Sequence, residues 1–138
     1  MHLEPYLHFT GQCAQALEFY EAVLQAKVVF KLQYKDSPEP LDWAPEGSDD
    51  WVLHATLQIG DQSIMASDGP RDDPRFQGVS LSITPDNEDE AKVIFNALAE
   101  GGEVKMPLGK TFFSPCFGTL VDQFGVNWMV YVEGAQPE

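Results

Sequence analysis

Polar and apolar positions alternate strictly between Leu53 and Asp68, which read LHATLQIGDQSIMASD. Leu53, Ala55, Leu57 and Ile59 form one set, and His54, Thr56 and Gln58 the other. A period of two over this length predicts a half-buried strand. Gly60-Asp61 supplies a two-residue turn signal. Folding about it pairs Ile59 with Gln62, Gln58 with Ser63, Leu57 with Ile64, Thr56 with Met65, Ala55 with Ala66 and His54 with Ser67. Opposed residues share a face. One face is therefore apolar, with Leu53, Ala55, Leu57, Ile59, Ile64 and Ala66. The other carries His54, Thr56, Gln58, Ser63, Met65 and Ser67. A slip of one residue would bury the polar set, so the register is firmly specified.

A second period appears in AQALEFYEAVLQA, where Ala16, Phe19, Tyr20, Val23 and Leu24 mark the stripe of an amphipathic helix. The same stripe returns about 75 residues later as Ala91, Ile94, Phe95, Leu98 and Ala99, opened by the acidic run DNEDE and stopped by Gly101-Gly102. Acids at a helix start suit its positive dipole end. Strands are predicted at Tyr6–Thr10 and Lys27–Tyr34 before the hairpin, and at Val79–Ile83 before the second helix. GEVKMPLGKTFF follows as strand or loop, and FGTLV and VNWMVYV close a final hairpin around Asp122–Gly125. Between the second strand and the hairpin, KDSPEPLDWAPEGSDD holds three prolines and six acids, predicting a long acidic loop that contains Trp43. The chain is thus strand, helix, three strands, written twice. The expected fold class is α+β: two tandem βαβββ modules forming a cupped mixed sheet, one helix covering each module. The boundaries expected are 1–68 for module one, 69–77 for a linker, 78–132 for module two and 133–138 for a tail, all within a single domain.

Composition narrows the function classes. With 138 residues the chain has enough length for one core. Acids outnumber bases 22 to 8, a net charge of −14, which disfavours nucleic acid and anionic membrane surfaces as partners. No apolar run approaches the roughly 18 residues of a membrane span. MHLEPYLHF lacks the basic-then-apolar order of a signal peptide, so the expected location is cytoplasmic. Two cysteines, Cys13 and Cys116, are too few for a disulfide framework or a structural zinc site. Gly109-Lys110-Thr111 echoes a phosphate loop, but Val104 stands where its first glycine would be, and Phe112, Phe113 and Pro115 follow in place of a helix. No glycine-rich strand-to-helix turn suits a dinucleotide or S-adenosylmethionine. The chain also lacks GxSxG and HExxH.

Four ordered blocks, PYLHFTGQCAQALEFY, HATLQIGDQSIMASD, LGKTFF and VDQFGVNWMVYV, resemble the vicinal oxygen chelate superfamily of glyoxalase I, extradiol dioxygenases and bleomycin-resistance proteins. The likeness is to its PhnB-like branch, which carries a demethylubiquinone methyltransferase-like label, and it excludes only the acidic loop and the last residues. The resemblance implies four metal-ligand positions, typically His, Gln or Glu. Carried onto this chain they fall at Pro5, Met65, Gly78 and Met129. Glycine and proline offer no side-chain donor, and a thioether is a poor ligand for hard or borderline divalent ions. Neither metal nor cofactor is therefore expected.

The resemblance also implies a cup. Its expected lining is Leu7, Phe9, His54, Thr56, Met65, Ser67, Phe113 and Met129, with Phe113 and the Trp43 loop as lids. Phe9 is assigned to the cup because it alternates in phase with Pro5 and Leu7. The leading expectation is a homodimer that binds a small organic molecule. The alternative is an enzyme, metal-free or with a metal at other positions, that uses His54 as acid or base, for which histidine's ordinary pKa of about 6.5 is suited. A third reading makes the open sheet face a dimer interface. Asp68 and Asp122 are the carboxylates considered as partners for His54.

Overall fold

A computed structural model describes residues 1–71 and 75–134, so part of the expected linker (72–74) and part of the tail (135–138) lie outside the described residues. The chain divides into two compact units, Met1–Pro74 and Arg75–Glu138. The first holds β1 (Tyr6–Phe9), α1 (Cys13–Leu24), β2 (Lys27–Gln33), β3 (Val52–Ile59) and β4 (Gln62–Asp68). The second holds β5 (Leu81–Ile83), α2 (Glu88–Ala99), β6 (Glu103–Gly109), β7 (Cys116–Val121) and β8 (Asn127–Val132). The strand orders are β1-β4-β3-β2 and β5-β8-β7-β6, the same topology twice. In each sheet the first strand runs parallel to the last, and the other pairs are antiparallel. This is the expected α+β architecture of two βαβββ modules, each with its own helix.

In the first unit the β3–β4 hairpin pairs Ile59 with Gln62, Gln58 with Ser63, Leu57 with Ile64, Thr56 with Met65 and Ala55 with Ala66. The turn signal and the alternation select this register together. Ala55, Leu57 and Ala66 are buried, as are Cys13, Ala16, Leu17, Tyr20 and Leu24 on α1. Leu17 completes the buried stripe, while Phe19 and Val23 are only half-buried at its margin. The helix lacks a side-chain cap of its own at Gln12. The backbone at its start is held from the sheet instead: one Asp68 carboxylate oxygen accepts from Gly11 N at 2.8 Å, just before the cap, and from Cys13 N, the first helical amide, at 3.0 Å. The other oxygen accepts from Val52 N at 2.9 Å. The Asp68 carbonyl takes the Tyr34 hydroxyl at 2.6 Å. One buried residue thus ties the start of α1, the start of β3 and the residue that follows β2 to the end of β4.

The second unit solves the same problems with different residues. Asn87 caps α2 by accepting from Glu90 N at 2.8 Å, and Glu88, Asp89 and Glu90 fill the first turn. Ala91, Ile94, Phe95 and Leu98 are buried against the sheet with Leu120, Trp128 and Val130. Asp122 sits at the β7–β8 turn. It accepts from Phe124 N and Val126 N through one oxygen and from Trp128 Nε1 at 2.9 Å through the other.

Candidate functional site

Each helix covers one side of its sheet, so the pairing decides which side chains stand on the open side. In the first unit Thr56 and Met65 are opposed, and Met65 is paired with Tyr6, while Thr56 is paired with Phe30. His8 is paired with Ser67, and His54 with Leu32. The open side therefore carries Tyr6, Phe30, Thr56 and Met65 in one row, and His8, Leu32, His54 and Ser67 in the next. Longer side chains stand on the outer strands β1 and β2. Met65 and the smaller Thr56 and Ser67 form the floor between them.

Four rings define this face. The Tyr6 hydroxyl lies 3.1 Å from His54 Nδ1. Tyr6 stacks on His8 with centroids 4.7 Å apart and planes 22° from parallel. Phe30 meets His54 at 5.9 Å and 50°. At the far end of β1, Arg71 donates to the His8 carbonyl at 2.8 Å. Loss of water around the His8 ring, and then the nearby Arg71 guanidinium, hold its pKa below the usual histidine value. At the near end Glu4 accepts from His2 and from the Ser63 hydroxyl, which hold its carboxyl below the usual carboxylate range.

The expected site residues separate under this geometry. His54, Thr56, Met65 and Ser67 stand together on the open side. Leu7 and Phe9 do not. They are paired with Ala66 and Asp68 and buried beneath α1, at 8% and 3% exposure, so their assignment to the cup is corrected. The β1 phase is the opposite of the one expected: Tyr6 and His8 face out, and Pro5 lies in phase with Leu7. The reason lies in packing. Leu7 and Phe9 are the apolar pair of this strand, and the helix-covered side takes them. The signal for Tyr6 and His8 is the same polar–apolar sorting as in the hairpin, with Leu7 and Phe9 as the apolar set of β1.

In the second unit Met129 is paired with Ser82 and Thr119 on the open side. Phe113 is half exposed, at 52%, and packs edge-on against Phe117 at 5.0 Å. Trp43 packs edge-on against Tyr34 at 5.5 Å, and the acidic loop around it lines a surface pocket of about 500 Å³ with Leu41, Pro45, Glu39 and Glu46. Asp68 points under the helix, away from His54, and both Asp122 oxygens are engaged within its own hairpin. The thiols are buried as well. Burial raises the pKa of both, Cys13 strongly, so neither has the setting of a nucleophile.

Of the metal positions implied by resemblance, Pro5 lies in the phase of Leu7, off the open side, while Met65 and Met129 each stand on the open side of their own sheet with a thioether. Among the described residues no three His, Cys, Asp or Glu side chains group as a metal site. No helix among the described residues is long and apolar enough to cross a membrane.

The two βαβββ units match known folds. The fosfomycin resistance protein FosX of Listeria monocytogenes superposes with a TM-score of 0.66 over 97% of this chain and 94% of its own, at 10% identity, a likeness of fold alone. Closer in sequence, protein PA1353 of Pseudomonas aeruginosa is 43% identical with a TM-score of 0.85, covering 96% of this chain and 98% of that one. The PhnB protein of Bacillus cereus is 30% identical with a TM-score of 0.81, covering 96% and 99%. Together they define the class, a protein of the vicinal oxygen chelate superfamily. A family model described as 3-demethylubiquinone-9 3-methyltransferase matches residues 1–131, and protein YjdN of Escherichia coli K12 is 32% identical over 99% of both chains. The chain belongs to this PhnB-like family.

Proposed function

We propose that this protein binds a small organic molecule on the open side of its first module. The observation that supports this reading most directly is the ring cluster on that face, in which the Tyr6 hydroxyl lies 3.1 Å from His54 Nδ1. A sheet face that met only water would have no need of four rings beside a floor of Thr56, Met65 and Ser67. The Trp43 loop of the same module is proposed as its lid, and Met129 and Phe113 belong to the second module's own face. Within this proposal, the protein is a cytoplasmic homodimer that works without the superfamily's metal, a reading supported by the thioether of Met65 at an implied ligand position on this face.

The hydrogen bond between Tyr6 and His54 also favours a second reading, an enzyme in which His54 acts as acid or base. A hydroxyl against Nδ1 leaves Nε2 outside that contact, and a histidine held through one nitrogen is suited to carry a proton on the other. Native mass spectrometry of freshly purified protein tests the first reading. The expected result is a dimer carrying an organic mass that is lost on denaturation. One stoichiometric divalent ion would overturn the metal-free claim. If His54→Ala retained the co-purified mass undiminished, the first-module face would be the wrong place.

A further inference from the structure

We infer that the open face of the first module takes a planar conjugated ring bearing an anionic or carbonyl oxygen, an aromatic carboxylate or acidic phenol. This rests on the reading of that face as a ligand surface and names the class of ligand. The strand pairing sorts the face into two ends. Tyr6, Phe30, Met65 and the small Thr56 make a ring-rich row. His8, His54 and Ser67, with Leu32 beside them on the outer strand, make the more polar row, with Arg71 beyond it on the His8 carbonyl. Tyr6 and His8 already stack at 4.7 Å, and Phe30 leaves half its surface open, at 50%. Aromatic faces of this kind favour another flat ring over an aliphatic one of equal area.

The polar row supplies the complement for oxygen. The Tyr6–His54 contact can run in either direction, and both leave the same inventory. If Tyr6 donates to Nδ1, the imidazole proton sits on Nε2 and the phenol oxygen keeps a lone pair. If Nδ1 donates, the phenol proton is left and Nε2 accepts. Either way the pair offers one donor and one acceptor, which matches a carboxylate or carbonyl beside a ring hydroxyl. The charge has the same sense. In a chain of net charge −14, this face carries the Arg71 guanidinium at one end, while its carboxylate, Glu4, is engaged by His2 and Ser63 at the other. An anionic oxygen is therefore favoured at the His54–Arg71 end and a cation is not.

Salicylate is the probe, titrated into the full-length protein and followed by its own fluorescence. Cyclohexanecarboxylate keeps its charge without the ring face, and benzyltrimethylammonium keeps a ring with the opposite charge. Salicylate is expected to bind about two- to tenfold more tightly than cyclohexanecarboxylate, the effect of stacking, and about tenfold or more tightly than benzyltrimethylammonium, the effect of a charge-assisted hydrogen bond. Tyr6→Phe keeps the ring and loses the hydroxyl, and is expected to weaken salicylate by about three- to tenfold. Equal affinity for cyclohexanecarboxylate would remove the requirement for a conjugated ring. Tighter binding of benzyltrimethylammonium would reverse the sign of the charge. If salicylate failed to bind while native mass spectrometry found a non-aromatic ligand lost in His54→Ala, the class would be wrong and the ligand surface would stand. Absence of both would overturn the two together.

Discussion

Replacing Asp68 by alanine is expected to unlock the first module. The carboxylate is 5% exposed and accepts three backbone amides at 2.8, 3.0 and 2.9 Å, from Gly11, Cys13 and Val52. Hydrogen bonds to a charged group contribute about 1.5–3 kcal/mol each, and a buried donor left unpaired carries a penalty of about 1–3 kcal/mol. The contributions do not add fully, because all three share one side chain. A loss of about 4 kcal/mol is the reasonable sum, near the top of what single substitutions do. For a chain of this size that lowers the melting temperature by about 10–20 °C. Asp68→Asn keeps the shape and one carbonyl acceptor, but its NH₂ cannot receive the amides on the other side, so about half the loss is expected. Urea denaturation followed by circular dichroism gives the free energies, and hydrogen exchange locates them. Amide protection should fall first at Gly11, Cys13 and Val52. A shift of the melting point below about 3 °C, or unchanged protection at those three amides, would mean that the start of α1 is held by packing alone and would refute the reasoning.

Gly118→Ala tests how closely α2 lies on its sheet. A methyl there would stand 2.8 Å from the Phe95 ring and 3.0 Å from the Met106 carbonyl oxygen, and a loss of about 1–3 kcal/mol in denaturant is expected. Cys13 and Cys116 should resist iodoacetamide in the folded protein at mildly alkaline pH and label fully in urea, read by intact mass. Because burial raises the Cys13 thiol above its unfolded value of 9.0, this group leaves stability unchanged below that pH. Stability should fall as pH climbs past it, since only the unfolded chain releases the proton. His8 has the opposite sense. Its pKa is lowered from 6.5, first by lost hydration and then by Arg71, so its ring carbon proton should titrate below that value by nuclear magnetic resonance. Its contribution to stability is present above 6.5 and lost as pH falls through the folded midpoint.

Most of the fold was legible because several signals agreed at each step. The hairpin is the clearest case: Gly60-Asp61 located the turn, alternation set the face, and the observed pairs from Ile59 with Gln62 to Ala55 with Ala66 follow. The helix repeat located α1 and α2 because one stripe recurs with the same spacing, even though the first helix buries Leu17 in preference to Phe19. The strand β6 was harder to read. It is an exposed edge with register shifts beside Met106, so its residues carry little of the alternation that burial imposes. The tie made by Asp68 was not legible at all, since it joins residues more than fifty positions apart through backbone amides that have no sequence signature.

The phase of β1 differs from the expected one for a physical reason. β1 is four residues long and lies at the edge of its sheet, paired to β4 alone. A strand this short offers two phases, and an aromatic in each satisfies a search for pocket residues: Phe9 in one, Tyr6 in the other. The parallel pairing decides between them by placing Leu7 against Ala66, whose side was already fixed by the hairpin. Tyr6 and His8 then follow onto the side of His54. The duplication explains why the fold could be read with so little ambiguity, since each module repeats the other's pattern. It also explains why the chemistry could not. The two open faces have diverged, one toward imidazole and phenol around Thr56 and Ser67, the other toward Met129, Met106 and a phenylalanine cluster. A repeat constrains the residues that bury against the helix and leaves the open face free to change. The residues that distinguish this protein from its relatives are therefore to be sought on the side of each sheet that the periodicity of its core does not specify.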